Sequence, residues 1–332
     1  MINCGIIGFG KMGKIRAKAI ETEGSGRVVA VFEVDKQIDS QGYRVFSSAD
    51  DLLASPNIDA VFVCTPNIMN KTYTIAGLKG GKHVFCEKPP AFTAADVEEI
   101  REVEASSGKK LMYGFNHRHH RSVETMKNII DSKKFGRILW MRGRYGKSVD
   151  DDFFQNWRSK KDMAGGGILI DQGIHMLDLL LYMGGSFDEI HALVSNLYWE
   201  IDVEDNVFAI MRNSKTGTVA SLHSTMTQWR HLFSLEIFME NGYMVLNGLK
   251  TSSGTYGDEV LSIAQNRTTA PRATWEDEEK ITFHVNTSWK SEITHFFSAI
   301  KNDSSIKIGN SKDALTLMKL IDRIYQKRGK HE

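Results

Sequence analysis

The chain has 332 residues, 41% hydrophobic and 25% charged, with a formal net charge of +1. That balance excludes a disordered polymer and offers no global pull toward nucleic acid or an anionic membrane surface, so neither is expected as a partner. The length suits two domains. Its three cysteines, Cys4, Cys64 and Cys86, lie in or beside apolar runs. They read as small buried residues in a reducing compartment, not as a disulfide frame. No secretion-type start and no stretch of ~20 apolar residues is present, so a cytoplasmic location without a membrane span is expected.

The first third alternates two patterns. β-rich runs fall at 2–8, 28–32, 60–64, 83–86 and 111–115, with helical patterns near 11–22, 70–80 and 93–107. Such alternation predicts a doubly wound parallel sheet covered on both faces, an α/β Rossmann domain over 1–117. After a helix near 121–133, strand follows strand. "NVFAIMR" and "TVASLHSTMT" flank a turn at 213–217, and "LFSLEIFME" passes through Asn241 and Gly242 into "YMVLNG". Asn-Gly between β-rich runs signals a hairpin. Leu235, Ile237 and Met239 alternate with Glu236, Phe238 and Glu240, as a sheet with one protected face requires. Two helices close the chain, one with Ile293, Phe296, Phe297 and Ile300 at core spacing. The other runs from Ser311, a good N-cap, to a stop at Gly329. The second domain, 118–332, is therefore expected to be α+β on a mostly antiparallel open sheet, serving substrate binding and oligomerisation.

"GIIGFGKMG" spaces Gly8, Gly10 and Gly13 as G-x-G-x-x-G between the first strand and first helix. The pattern is weak alone and gains weight from this context. Gly8 would allow a tight turn, Gly10 would admit a pyrophosphate, and Gly13 would let helix and strand close up. Phe9, Lys11 and Met12 complete the loop, whose helix start offers N–H groups to phosphate. Glu33 ends the second strand twenty residues past Gly13, with Asp35 behind it. A carboxylate there receives ribose hydroxyls and repels a 2′-phosphate, favouring NAD over NADP.

"CEKPP" follows the fourth expected strand, at the carboxyl edge where open α/β sheets bind ligands. Pro89 and Pro90 fix two φ angles and hold Lys88 out of a helix. The bland reading is a surface lysine in a loop. Further on, "MAGGGILIDQGIHMLDLLLYMGG" places Asp171, His175 and Asp178 four and three apart, on one face of a regular helix. An aspartate one turn before a histidine can orient the imidazole, and histidine exchanges protons near neutral pH. A metal site and a core histidine satisfied by Asp178 compete with that reading. No further ligand cluster stands near and a neighbouring lysine opposes a cation, so no metal is expected. Acid–base chemistry is preferred once Lys88 and a nicotinamide are considered together.

These stretches, with "CTPN" at 64–67, "GKHVFCEKP" at 81–89 and "GGGILIDQGIHMLDL" at 165–179, resemble the glucose–fructose oxidoreductase / inositol dehydrogenase / rhizopine-catabolism (Gfo/Idh/MocA) oxidoreductase family. The resemblance spans essentially the whole chain. It implies an NAD(P)-dependent oxidoreductase moving hydride between nicotinamide and a secondary hydroxyl or ketone of a sugar, polyol or nucleotide sugar held between the two domains. It also implies a homodimer or homotetramer joined through the C-terminal sheet. Matched residue by residue, Lys88, Asp171 and His175 carry catalysis and substrate contact. Thr65, Pro66, Asn67, Glu87, Lys88 and Asn116 border the cofactor, and Trp157 and Arg158 resemble a substrate-side motif. The chain departs from the pattern at Asn70, a cofactor-side position where relatives often carry histidine. It departs again at "FNHRHH", whose His117, His119 and His120 are expected at a surface or between domains. Two other outcomes of the same residues are a redox-assisted lyase that recycles NAD and a non-catalytic dinucleotide sensor.

Overall fold

The computed structural model describes residues 1–327. In chain order it runs β1 (Ile2–Ile7), α1 (Lys11–Glu23), β2 (Gly26–Phe32), β3 (Arg44–Val45), α2 (Ala49–Ala54), β4 (Ala60–Val63), α3 (Asn70–Lys79), β5 (His83–Cys86), α4 (Ala94–Ser107) and β6 (Leu111–Tyr113). It continues through α5 (Arg121–Asp131), β7 (Ile138–Gly146), α6 (Lys161–Ala164), a π-helical turn (Leu169–Gly173) and α7 (Ile174–Gly184). Then come β8 (Glu189–Ser195), β9 (Asn206–Arg212), β10 (Val219–Thr225), β11 (Leu232–Met239), β12 (Gly242–Asn247), β13 (Glu259–Gln265), β14 (Glu279–Phe283), α8 (Ser288–Lys301) and α9 (Ser311–Tyr325). Among the described residues no helix is long and apolar enough to cross a membrane.

Two compact units result. The first takes Met1–Asn116 with Ser288–Lys319, the second His117–Thr287 with the chain from Leu320. The first holds a six-stranded sheet in the order β3-β2-β1-β4-β5-β6, parallel throughout. The order reverses direction between β1 and β4, the switch point of a doubly wound sheet. β4 and β5 are buried runs apart from His83 at the start of β5, as strands covered on both faces require.

The closing helix α8 belongs to this unit and not, as the linear order suggests, to the second. Phe296 and Phe297 are buried among the β1, β4 and β5 side chains. Phe296 meets Phe62 edge-on at 5.8 Å, and Phe62 stacks on Phe85 at 5.2 Å. A Cβ on Gly26 would lie 2.6 Å from the Phe297 ring, so only glycine lets β2 pass there. Arg16 of α1 locks the helix in place. It is fully buried, and its guanidinium reaches Glu87 at 2.5 Å and Glu292 of α8 at 2.5 Å. Phe85 and Trp289 cover it at 4.3 and 4.7 Å. At α9, Asn310 caps the helix in place of the expected Ser311, its Oδ1 accepting from Lys312 and Asp313 N–H at 3.0 Å each. Gly329 lies outside the described residues.

The second unit is built on an eight-stranded sheet, β14-β13-β12-β11-β7-β10-β9-β8. It is antiparallel except for β7 beside β10. The two expected hairpins are present as β9–β10 and β11–β12. Leu235, Ile237 and Met239 face inward. α7 packs on β7 so closely that a Cβ on Gly143 would overlap Met176 at 2.4 Å.

The triple glycine before the π turn has a packing cause. Glu204 is fully buried and accepts the N–H groups of Gly167 (2.8 Å) and Leu169 (3.1 Å) and the Tyr325 hydroxyl (2.8 Å). A Cβ on Gly167 would sit 2.0 Å from the Glu204 carbonyl oxygen.

Replacing Arg16 with methionine takes the guanidinium away from two carboxylates in the core of the first unit. We expect a loss of about 3–5 kcal/mol of stability, read as a lower urea midpoint with the same slope. A second expectation concerns acid. Burial, with the charges of Lys109 and Lys110, pushes the His83 imidazole down to about 4. Its Nδ1 accepts the Lys110 N–H at 3.0 Å and so carries no proton. A depressed histidine adds stability that is complete above its unfolded value of ~6.5 and is lost as pH falls toward 4. His83→Asn should flatten the fall in urea midpoint across that interval.

Candidate functional site

In the first unit the glycine loop leaves β1 at the switch point. Gly8 has φ +88°, and a Cβ there would meet the Cys64 carbonyl oxygen at 2.5 Å. A Cβ on Gly13 would meet the Gly8 oxygen at 2.2 Å. These two glycines are required by the protein's own packing. Gly10 is different: a Cβ there would meet nothing within 4 Å. It caps α1 without a side-chain hydrogen bond, and the first turn holds no acid. A helix start with uncapped N–H groups and open space before it suits a phosphate.

Glu33 is aimed at this loop, accepting Phe9 N–H at 2.7 Å and Val34 N–H at 2.8 Å. Asp35 Oδ1 instead accepts Gln37 N–H at 2.9 Å. The Phe9 side chain turns inward, buried and edge-on to Tyr43 at 5.7 Å, so only its backbone borders the loop. Lys11 is exposed and Met12 half-buried.

The loop after β4 and the turn after β5 are tied together by Asn70. This side chain is fully buried. Its Oδ1 accepts from the Thr65 hydroxyl at 3.2 Å, and its Nδ2 donates to the carbonyls of Glu87 (3.3 Å) and Pro89 (2.8 Å). Pro66 and Asn67 lie half-buried between these anchors. Lys88 is half-buried between buried Glu87 and Pro89, and the Lys88–Pro89 peptide is cis. The Glu87 carboxylate points to Arg16, so at the turn itself this residue contributes backbone. Asn116 is buried and donates to Ser288 Oγ at 3.4 Å. Together, glycine loop, Glu33, the 65–70 segment and the Lys88 turn fit a dinucleotide with a free 2′-hydroxyl.

The second unit carries the other candidates. The helix pattern at 169–178 predicts one shared face, but the π turn breaks it by adding a residue to that turn. Asp171 is half-buried and pairs with Lys147 Nζ at 2.5 Å, with Arg158 Nε at 3.8 Å. Asp178 is fully buried, and Arg118 grips both its oxygens at 2.7 and 2.6 Å. His175 is buried and stacks on His117, centroids 4.0 Å apart and planes within 13°. The Asp178 carboxylate is thus claimed by Arg118.

His117, His119 and His120 are buried and not at a surface. His117 Nε2 lies 3.2 Å from the Tyr145 hydroxyl, and His120 Nδ1 lies 3.0 Å from Glu259. Burial, with Tyr256 and Asp171 beside it, pushes the Tyr145 phenol well up, and burial pushes Tyr256 up to about 12. Both stay neutral donors at working pH. Gln172 donates to the Tyr256 oxygen. The Arg158 guanidinium covers the Trp157 ring at 4.4 Å. Among the described residues no group of three His, Cys, Asp or Glu side chains could hold a metal ion.

Sequence reasoning missed Lys147, Tyr145, Tyr256 and the role of His117. Lys147 follows β7 and meets Asp171 only through the fold; a cation one residue past a strand end was its one local signal.

Comparison with known proteins settles the affiliation. Residues 2–115 match an oxidoreductase family described by its NAD-binding Rossmann fold, and residues 123–245 match the GFO/IDH/MocA C-terminal domain. The chain belongs to the GFO/IDH/MocA oxidoreductase family. It is an NAD-binding oxidoreductase. It is 27% identical over 289 residues to levoglucosan dehydrogenase of Pseudarthrobacter phenanthrenivorans, spanning 74% of this chain and 73% of that one. Against myo-inositol 2-dehydrogenase of Thermotoga maritima it is 25% identical over 269 residues, 77% of this chain and 78% of the relative. The fold superposes on a levoglucosan dehydrogenase solved in complex with NADH with a TM-score of 0.87 at 24% identity, covering 100% and 98% of the two chains.

The contrast among the three glycines yields an expectation. Gly10→Val should leave the thermal transition in place yet weaken NADH binding by at least about tenfold in a fluorescence titration. Gly13→Val should instead lower the transition itself.

Proposed function

We propose that this NAD-binding family member oxidises a secondary hydroxyl of a sugar or polyol, or reduces the matching ketone. The observation that supports it is the Asp171 cluster: a half-buried carboxylate gripped by Lys147, placed one turn before buried His175. Bound nicotinamide supplies a hydride acceptor or donor. The residues of the chain handle the proton and the oxygen.

His175 takes the hydroxyl proton as the C–H bond breaks and returns it in the reverse direction. The parallel His117 ring at 4.0 Å favours this role. Two imidazolium charges at that spacing repel by about 4 kcal/mol at an effective dielectric of 20. The pair therefore resists double protonation, leaving one ring able to accept. Asp171, fixed by Lys147, accepts a hydrogen bond from a substrate hydroxyl. Lys88 donates to the reacting oxygen and stabilises negative charge developing there. Trp157 and Arg158 contribute on the substrate side.

The protein acts in the cytoplasm as a homodimer or homotetramer. Its three cysteines are free thiols, in keeping with a reducing compartment. The outward face of the eight-stranded sheet carries Trp140, Phe238 and Tyr243 in a stack with 4.2 and 4.8 Å spacings, beside exposed Leu193, Phe208 and Ile210. An apolar surface of that extent suits subunit pairing.

Following NADH absorbance across sugars, polyols and nucleotide sugars tests the reading. Lys88→Ala and His175→Ala should each lower turnover by ~10²–10⁴-fold while NAD binding persists. Full turnover in the double variant would remove both residues from the mechanism. Product formed without accumulating NADH would assign the site to in-place recycling instead of net oxidation.

A further inference from the structure

One surface of the second unit is built with care and unused by the reaction above. Asp205 is fully buried. Its carboxylate accepts the backbone N–H groups of Leu197 (2.8 Å), Tyr198 (2.8 Å) and Trp199 (2.9 Å), and the Asn206 amide at 3.1 Å. Trp199 Nε1 donates to the Met226 carbonyl at 2.9 Å. The loop is pinned from beneath while its rings face outward. Tyr198 and Trp229 are each 61% exposed. Tyr198 meets Trp199 at 4.9 Å and Trp229 at 5.2 Å, while Phe154 and Trp229 each approach Trp199 at 6.0 Å. Four clustered rings, Tyr198 and Trp199 from this loop with Phe154 and Trp229 from two others, keep in water an apolar area that plain loops would bury or replace with polar groups.

This aromatic platform adjoins the Asp171 cluster. Gln228, next to Trp229, donates its N–H to the Lys147 carbonyl at 3.2 Å, and Lys147 holds Asp171. Phe154 stands four residues before Arg158, the second cation near Asp171.

We propose that the platform is a subsite for a second sugar ring, so that the preferred substrate is a glycoside of more than one ring. The proposal rests on the redox reading of the Asp171–His175 site. A pyranose presents a flat C–H face that packs on aromatic rings and a rim of hydroxyls for nearby polar groups. The charged residues within three positions of the rings are Asp151, Asp152, Glu200, Asp202 and Arg230, all exposed. Four acids against one base disfavour a diphosphate, so a neutral ring fits better than the base of a nucleotide sugar. A free monosaccharide or an inositol has no second ring to reach the platform.

The test compares kcat/KM of wild type, Trp229→Ala and Tyr198→Ala on glucose and on the disaccharides cellobiose and maltose. Each variant should lose about tenfold on the better disaccharide, through KM, and stay within about twofold on glucose. Equal effects on all three sugars, or none, would overturn the proposal. So would a stronger loss on a nucleotide sugar, or a drop to a smaller assembly in sedimentation, which would make the patch a subunit contact. Tryptophan fluorescence reads the platform without turnover. Quenching by a disaccharide that Trp229→Ala abolishes supports the subsite even if no sugar is oxidised, in which case the redox reading fails by itself. Absence of quenching in the wild type counts against the platform.

Discussion

The first unit is organised around a single buried guanidinium. Arg16 lies on the helix that begins at the glycine loop, Glu87 immediately precedes Lys88, and Glu292 lies on the helix that returns from the far end of the chain. One buried cation meets two anions here, and such an arrangement holds only while every member stays in place. The result is that the helix after the glycine loop, the lysine turn and α8 cannot move independently. Asn70 adds a neutral clamp on the same turn by holding the carbonyls on both sides of Lys88. Lysine is a flexible side chain; here its backbone is fixed at several points, which limits the volume its ammonium can sample.

The second unit uses neighbouring carboxylates for two separate tasks. Glu204 gathers the N–H groups of the glycine-rich turn that leads to Asp171. Asp205 gathers those of the loop that bears the aromatic rings. Burial pulls the Glu204 carboxyl up, while its backbone and Tyr325 hydrogen bonds pull the other way, with a net rise. Both residues act as nuclei for irregular backbone that would otherwise leave polar groups without partners.

Features governed by near neighbours were legible in the sequence. The glycine spacing, the strand alternation of 235–239, the Asn-Gly hairpin and the proline-flanked lysine each depend on local backbone rules, and each stands where those rules put it. What was hidden depends on partners far along the chain. Arg16 meets residues 71 and 276 positions away, and nothing in "KIRAKAI" marks its arginine as buried. The homing of α8 to the first unit follows from that contact and from two phenylalanines whose spacing says only that some core receives them. His117 and Lys147 acquire meaning from the fold alone. The shift from Ser311 to Asn310 is a one-residue matter of capping, within the ordinary uncertainty of helix ends. The π turn was unreadable because helical periodicity assumes a constant residue count per turn, and the glycine-rich segment is drawn out of that count by Glu204.

That surplus residue makes the position of Asp171 depend on chain length as well as side-chain chemistry. Removing Ile170 or Gln172 would let that turn relax to regular winding and change the angle between Asp171 and His175 about the helix axis. The carboxylate would then sit differently against its two cations although no functional group had been altered. Lineages sharing this geometry should therefore tolerate exchanges within the segment far better than a change in its length.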